Sequence, residues 1–182
     1  MKDFKIYYST PYNLNKNLGS EYNHYMSLIK RDRDWMCFVD GDTMFLTPDF
    51  GKQIHDIVTK YPETGMFTCM TNRVGISLQR HNKLMSENAN LSHHKEIALQ
   101  LQKKFYDTVE VVNRRVSGLM MLIQKNTWRQ VKFRDGLLGV DFAFCDDLIA
   151  SGYDIKIMKG VYLMHYYRLL EGRHYKGHLI LS

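Results

Sequence analysis

The segment Trp35-Met36-Cys37-Phe38-Val39-Asp40-Gly41-Asp42 limits the possible folds of this chain more than any other. Five consecutive apolar residues are of strand length, and a run without polar alternation suits a strand covered on both faces. The run ends abruptly in two acids flanking a glycine. Asp-Gly is a common turn dipeptide, but two carboxylates at the mouth of a buried strand repel one another and lose hydration unless a cation lies between them. Hard oxygen ligands of this kind suit Mg²⁺ or Mn²⁺, ions that usually share their shell with substrate phosphates. Gly41 lets the backbone come close to a ligand.

The flanking sequence alternates strand and helix patterns. Phe4 to Ser9 reads as a strand ending at Thr10-Pro11, and Tyr22, Met26 and Ile29 mark one helical face. Pro48 and Gly51 open a second helix with Ile54, Ile57 and Val58 on its buried stripe. Gly65 to Thr71 and Arg73 to Leu78 read as short strands, and Ser92 as the N-cap of a helix carrying Ile97, Leu101 and Phe105. Val109 to Val112 and Leu119 to Gln124 are further strands, with Gly118 at the entry of the second. Val140 to Ser151 is a helix ended by Gly152, and Ile155 to Met158 and Val161 to His165 are two closing strands. The expectation is an α/β fold, a single Rossmann-like domain over residues 1–182 with a mostly parallel central sheet flanked by helices. Chemistry in such sheets gathers at the carboxyl ends of the strands.

Composition narrows the functional class. At 45% apolar and 13% aromatic residues the chain has enough to build a core, and no apolar run reaches the roughly 18 residues needed to cross a bilayer. The N-terminus MKDFKIYYST has no signal-peptide pattern. Cys37, Cys69 and Cys145 are too far apart for a zinc ribbon or finger, and read as reduced thiols of a cytoplasmic protein. Lys plus Arg exceeds Asp plus Glu by 25 − 19 = 6, a surplus that fits phosphate-bearing partners or an anionic membrane face.

WMCFVDGDTMFL resembles the DxD segment of GT-A glycosyltransferases, and the order of the remaining segments resembles family 2-like members. Thr10-Pro11-Tyr12-Asn13 is similar to their Pro-x-Tyr-Asn segment, and Asn17, Gly19 and Asn23 to the stretch beside the nucleoside. SGLMMLIQKNTWRQVKF, from Ser117, resembles their acceptor-side strand and helix. Asp141 and Gly152 keep the eleven-residue separation (152 − 141) of the family's E-D-x-D-L…G pattern. The resemblance implies transfer of a sugar from a nucleoside-diphosphate sugar to a hydroxyl acceptor, whether glycan, lipid-linked or other. It implies a Mn²⁺ or Mg²⁺ site of Asp40, Asp42 and His165. Thr10, Tyr12, Gly19, Asn23, Asp40, Gly41 and Arg168 would lie along the donor, and Asp141 would be the general base of an inverting reaction.

Asp141 also has a plainer reading as a helix cap, since a helix N-terminus favours a carboxylate, and a cap can also act as a base. Asp146 and Asp147, further along the same helix, read as solvated or supporting. The basic segment of about 168–182 reads as a lid, an anionic-membrane contact or a solvated tail. Two departures from the family pattern stand out. The base-reading strand and helix are missing between Asn13 and Asn17, and Val140 replaces the usual Glu. A haloacid-dehalogenase-like phosphatase with Asp40 as nucleophile is the rival reading, although Met44 stands where that family has Thr. A basic nucleic-acid-binding domain is the non-enzymatic rival. No RNP-like, helix-turn-helix or zinc signature supports it, and nucleic acid is not expected as a partner.

Overall fold

A computed structural model describes residues 3–166; the basic segment of about 168–182, and Arg168 with it, lies outside the described residues. Along the chain run β1 (Ile6–Ser9), α1 (Leu18–Leu28), β2 (Trp35–Val39), β3 (Thr43–Phe45), α2 (Phe50–Lys60), β4 (Met66–Thr71), α3 (Leu91–Phe105), β5 (Val109–Val112), β6 (Met120–Gln124), α4 (Lys125–Gln130), α5 (Val140–Ala150) and β7 (Ile155–His165). The fold is α/β. Among the described residues seven strands pair, in the order β1-β2-β6-β4-β7-β3 with β5 also paired to β7. The sheet is mixed, which corrects the expectation of a mostly parallel one. β1 and β2 are parallel, whereas β2 with β6, β6 with β4, and β3 with β7 are antiparallel. Short apolar runs carry no directional signal, because side-chain alternation is the same whichever way a strand points.

The chain forms two compact units. The first comprises described residues 3–41, 61–68 and 110–157. Here β2 lies between β1 and β6, in register from Ile6↔Trp35 to Ser9↔Phe38 on one side and from Trp35↔Gln124 to Val39↔Met120 on the other. Trp35, Met36, Cys37 and Phe38 are all buried. Trp35 and Phe38 are three positions apart and so point to opposite faces. Phe38 packs against Tyr22 and Phe133, and Phe133 stacks on Phe144, while Trp35 meets Phe67.

Polar side chains fasten the loops around this core. Lys125, itself buried, donates to the Met26 carbonyl at the end of α1. Asp34, 1% exposed, accepts from the Lys5 amide and pairs with Arg31, so the start of β2 is tied to β1. Burial pushes the Asp34 carboxyl up, but its hydrogen bonds from Arg31 and the Lys5 amide outweigh this and hold it below the usual carboxylate range.

The second unit comprises described residues 42–60, 69–109 and 158–166. Its β3 pairs with the end of β7, from Thr43↔His165 to Phe45↔Leu163. α2 buries Ile54, Ile57 and Val58 as the helical spacing predicts, and Gln53, also buried, donates to the Tyr106 carbonyl. β7 is a single strand and not the two expected. Gly160 allows this, since a Cβ there would collide with the Phe105 carbonyl. α3 is capped by Asn90 and not Ser92: the Asn90 side chain accepts from the His93 amide. The expected strand from Arg73 to Leu78 is a loop. Its Arg73 is buried and committed to Ser86 and Glu87, and it leads into a short 3-10 turn at Ser77–Gln79. Periodicity could not reveal that this stretch spends its polar groups on a loop and not on a ladder.

Asp34→Asn should remove the charge that pairs with Arg31. A depressed carboxyl contributes stability above its unfolded value and loses it as pH falls through the folded one. The variant should therefore be less stable at neutral pH by about 1–3 kcal/mol, with the difference shrinking towards strongly acid pH. Urea denaturation across pH measures this, and a gap that persists at acid pH would contradict it.

Candidate metal centre and acid cluster

In the first unit, the β2–β6 ladder continues one step past Val39, where the Asp40 amide donates to the Leu119 carbonyl at 3.0 Å. This fixes the backbone at the mouth of the strand. Thr10 lies beside the following glycine, since a Cβ on Gly41 would come within 3.3 Å of its methyl group. Asp141 stands in the first turn of α5. The helix is capped by Gly139, a left-handed residue with no side chain to offer, so Asp141 is not the N-cap. Its carboxylate instead accepts from the Gly118 amide at 2.8 Å. Gly118 has to be glycine, because a Cβ there would meet the Asp141 Cβ at 2.7 Å.

Burial pushes the Asp141 carboxyl above the ordinary carboxylate value, and the amides of Gly118 and Phe142 hold back part of that rise. The Tyr22 hydroxyl is pushed up by burial and then by the charges of Asp40 and Asp141, so both acids act on one point inside this unit. Asp146 and Asp147 form exposed pairs with Arg115 and Arg134, the solvated role expected of them.

In the second unit, Asp42 and His165 face each other across the first step of the β3–β7 ladder. The Tyr166 amide donates to the Asp42 carbonyl at 2.8 Å, and His165 Nε2 lies 3.3 Å from Asp42 Oδ1. His165 is gripped from behind. Its Nδ1 lies 2.7 Å from the Arg73 carbonyl, which can only accept, so Nδ1 carries the proton. Asn72, 1% exposed, accepts from the His165 amide at 2.7 Å and donates to its carbonyl at 3.1 Å. With Nδ1–H engaged, a neutral ring directs the Nε2 lone pair at a carboxylate. Two acceptors facing each other need either a proton or a cation between them. Burial pushes the Asp42 carboxyl up, and contact with His165 more than reverses this, leaving it below the ordinary value.

Asp42 and His165 bring a carboxylate and an imidazole together within this unit, and Asp40 stands two residues before Asp42 in the chain. Asp40 is half-buried, Asp42 exposed and His165 buried. A carboxylate and an imidazole held in one tautomer by a carbonyl are donors of the kind that fit Mg²⁺ or Mn²⁺.

The other sequence candidates are less concentrated. Tyr12 is 75% exposed. Gly19 is pressed against the Arg134 carbonyl, where no side chain fits. Asn23 spends its carboxamide on the Phe133 backbone and the Trp128 indole. Both therefore bind α1 to the loop following α4. Asn72 and Arg73 were missed in the sequence. Their only signal is that two polar residues directly follow the apolar strand MFTCMT, which does not distinguish a loop from a ligand support.

Compared with known proteins, the chain matches no protein-family model and no curated protein. No helix among the described residues is long and apolar enough to cross a membrane.

Asn72→Ala should strip two partners from the His165 backbone and destabilise the protein by about 1–3 kcal/mol per buried group left unpaired. Chemical denaturation checks the loss, and an unchanged midpoint would show that the Asn72 grip is dispensable.

Proposed function

We propose that this protein is a metal-dependent glycosyltransferase of GT-A type, moving a sugar from a nucleoside-diphosphate sugar to an acceptor hydroxyl with inversion. The observation that carries the reading is the approach of His165 to Asp42, in the chain just two residues after Asp40 at the carboxyl end of a buried strand. A divalent ion held by these three residues would neutralise the charge that collects on the departing diphosphate. The mixed α/β fold and the segment order quoted above agree with that class.

The residues of the chain divide the remaining work. The grip of Asn72 and Arg73 on His165 fixes its tautomer, so Nε2 is available without reorganisation. Asp141 is the base: its burial raises its proton affinity towards the range useful near neutrality, and the Gly118 amide holds its orientation. The acceptor hydroxyl gives its proton to the Asp141 carboxylate while its oxygen bonds to the anomeric carbon. The bond from that carbon to the diphosphate oxygen breaks, and the nucleoside diphosphate leaves with the electron pair. Arg168 belongs to this proposal as a diphosphate contact, as do Thr10 and Tyr12 on the donor side.

Asp42→Ala should abolish Mn²⁺-dependent binding of nucleoside diphosphates measured by calorimetry, and unchanged affinity would sink the metal site. Asp141→Asn should keep that binding and lose transfer by at least about a hundredfold, the lower end for general-base catalysis. Normal turnover by this variant would remove Asp141 from the role.

A further inference from the structure

The second unit contains a cavity of about 220 Å³ whose lining residues, Asn72 apart, have no role in the chemistry described above. Its wall includes Asn72, His81, Asn82, His93, Ile97 and Tyr162. It is smaller than the roughly 300–1,000 Å³ of sites for drug-sized ligands, so it takes a single ring and not a nucleotide.

Among the described residues no aspartate, glutamate, lysine or arginine contributes to its lining. The nearest buried cation, Arg73, is committed to Ser86 and Glu87. His81 titrates below its ordinary value because burial, and then His93 and His94, disfavour its charged form, so its imidazole is neutral at pH 7. His94 stays out of the cavity chemistry, since Tyr162 and the Asn88 carbonyl take its two nitrogens.

This leaves Asn82 and the neutral His81, whose side chains each offer both a donor and an acceptor, and His93, whose ring nitrogens add further hydrogen-bonding positions, beside the apolar surfaces of Ile97 and the Tyr162 ring. A hydroxyl group needs both a donor and an acceptor, and the C–H face of a sugar ring needs an apolar wall. A phosphate or carboxylate would need a fixed cation, which the lining lacks. Asn72 adds a positional argument, because this lining residue also holds the His165 backbone at both its N–H and its C=O through its side chain. The cavity is therefore one residue removed from a candidate metal ligand of the same unit.

We infer that this cavity is a binding site for one uncharged monosaccharide ring, recognised by His81, His93 and Asn82 through its hydroxyls and by Ile97 and Tyr162 through its C–H face. The inference rests on the glycosyltransferase reading only for whose ring it is, that of the acceptor or of the donor.

The test is histidine-ring NMR on the metal-free protein, titrated separately with methyl glucoside, methyl galactoside, N-acetylglucosamine and inorganic phosphate. At least one sugar should move the His81 and His93 ring signals saturably. Ile97→Trp, which fills the cavity from α3, should weaken that response at least about fivefold. His81→Ala, read at His93, should do the same, and guards against a misfolded tryptophan variant. Silence with every sugar, a response to phosphate alone, or equal responses in both variants would overturn the site.

A second arm adds Mg²⁺ and a nucleotide sugar to the glycoside-saturated protein. Displacement of the glycoside assigns the ring to the donor, and retention assigns it to the acceptor. The first arm needs neither metal nor nucleotide, so failure of the transferase reading appears in the Asp42→Ala calorimetry and not here.

Discussion

Burial of β2 on both faces is the constraint from which the rest follows. A strand between β1 and β6, with aromatic rings packed above and below it, cannot hold a charge along its length. Its polar chemistry has to emerge where the ladder stops, and Asp40 does so one hydrogen bond beyond the last paired residue. The turn through Gly41 then brings the chain to Asp42 and β3. Asp40 is thus set by the end of a rigid element, and Asp42 follows it in the short turn that leads into β3.

Around this point the molecule invests buried polar groups in backbone placement. Asn72 and Arg73 hold the His165 backbone and ring, Gly118 holds the Asp141 carboxylate, and Asp34 holds the start of β2 against β1. Each of these contacts joins a buried or half-buried side chain to main chain. Such contacts cost little to keep and much to break. The same principle accounts for the strict glycines at 118 and 160, where a neighbouring group occupies the space of a side chain.

Much of the secondary structure could be read from the sequence because it depends on local periodicity. β2 and β5 have the expected bounds, α2 buries the expected stripe, and α5 starts where expected. Two of the misses share a cause in contacts made outside the segment. The break expected between Met158 and Val161 vanishes because a distant carbonyl fills the space above Gly160. The strand expected after Arg73 gives way to buried polar contacts with Ser86 and Glu87. The cap moves from Ser92 to Asn90, two side chains that locally compete for the same role.

The sequence alone determined that an apolar strand ends in paired acids, and that a carboxylate opens a late helix and a histidine ends a late strand. Those are properties of consecutive residues, fixed by hydrophobic spacing and the cost of burying charge. Only the tertiary structure decided that the sheet is mixed, that His165 faces Asp42 in one tautomer, and that Asn72 holds it there. Strand direction and side-chain partnership depend on residues far apart in the chain, as Asn72 and His165 are at 93 positions, and no local pattern encodes which distant group will satisfy a buried hydrogen bond.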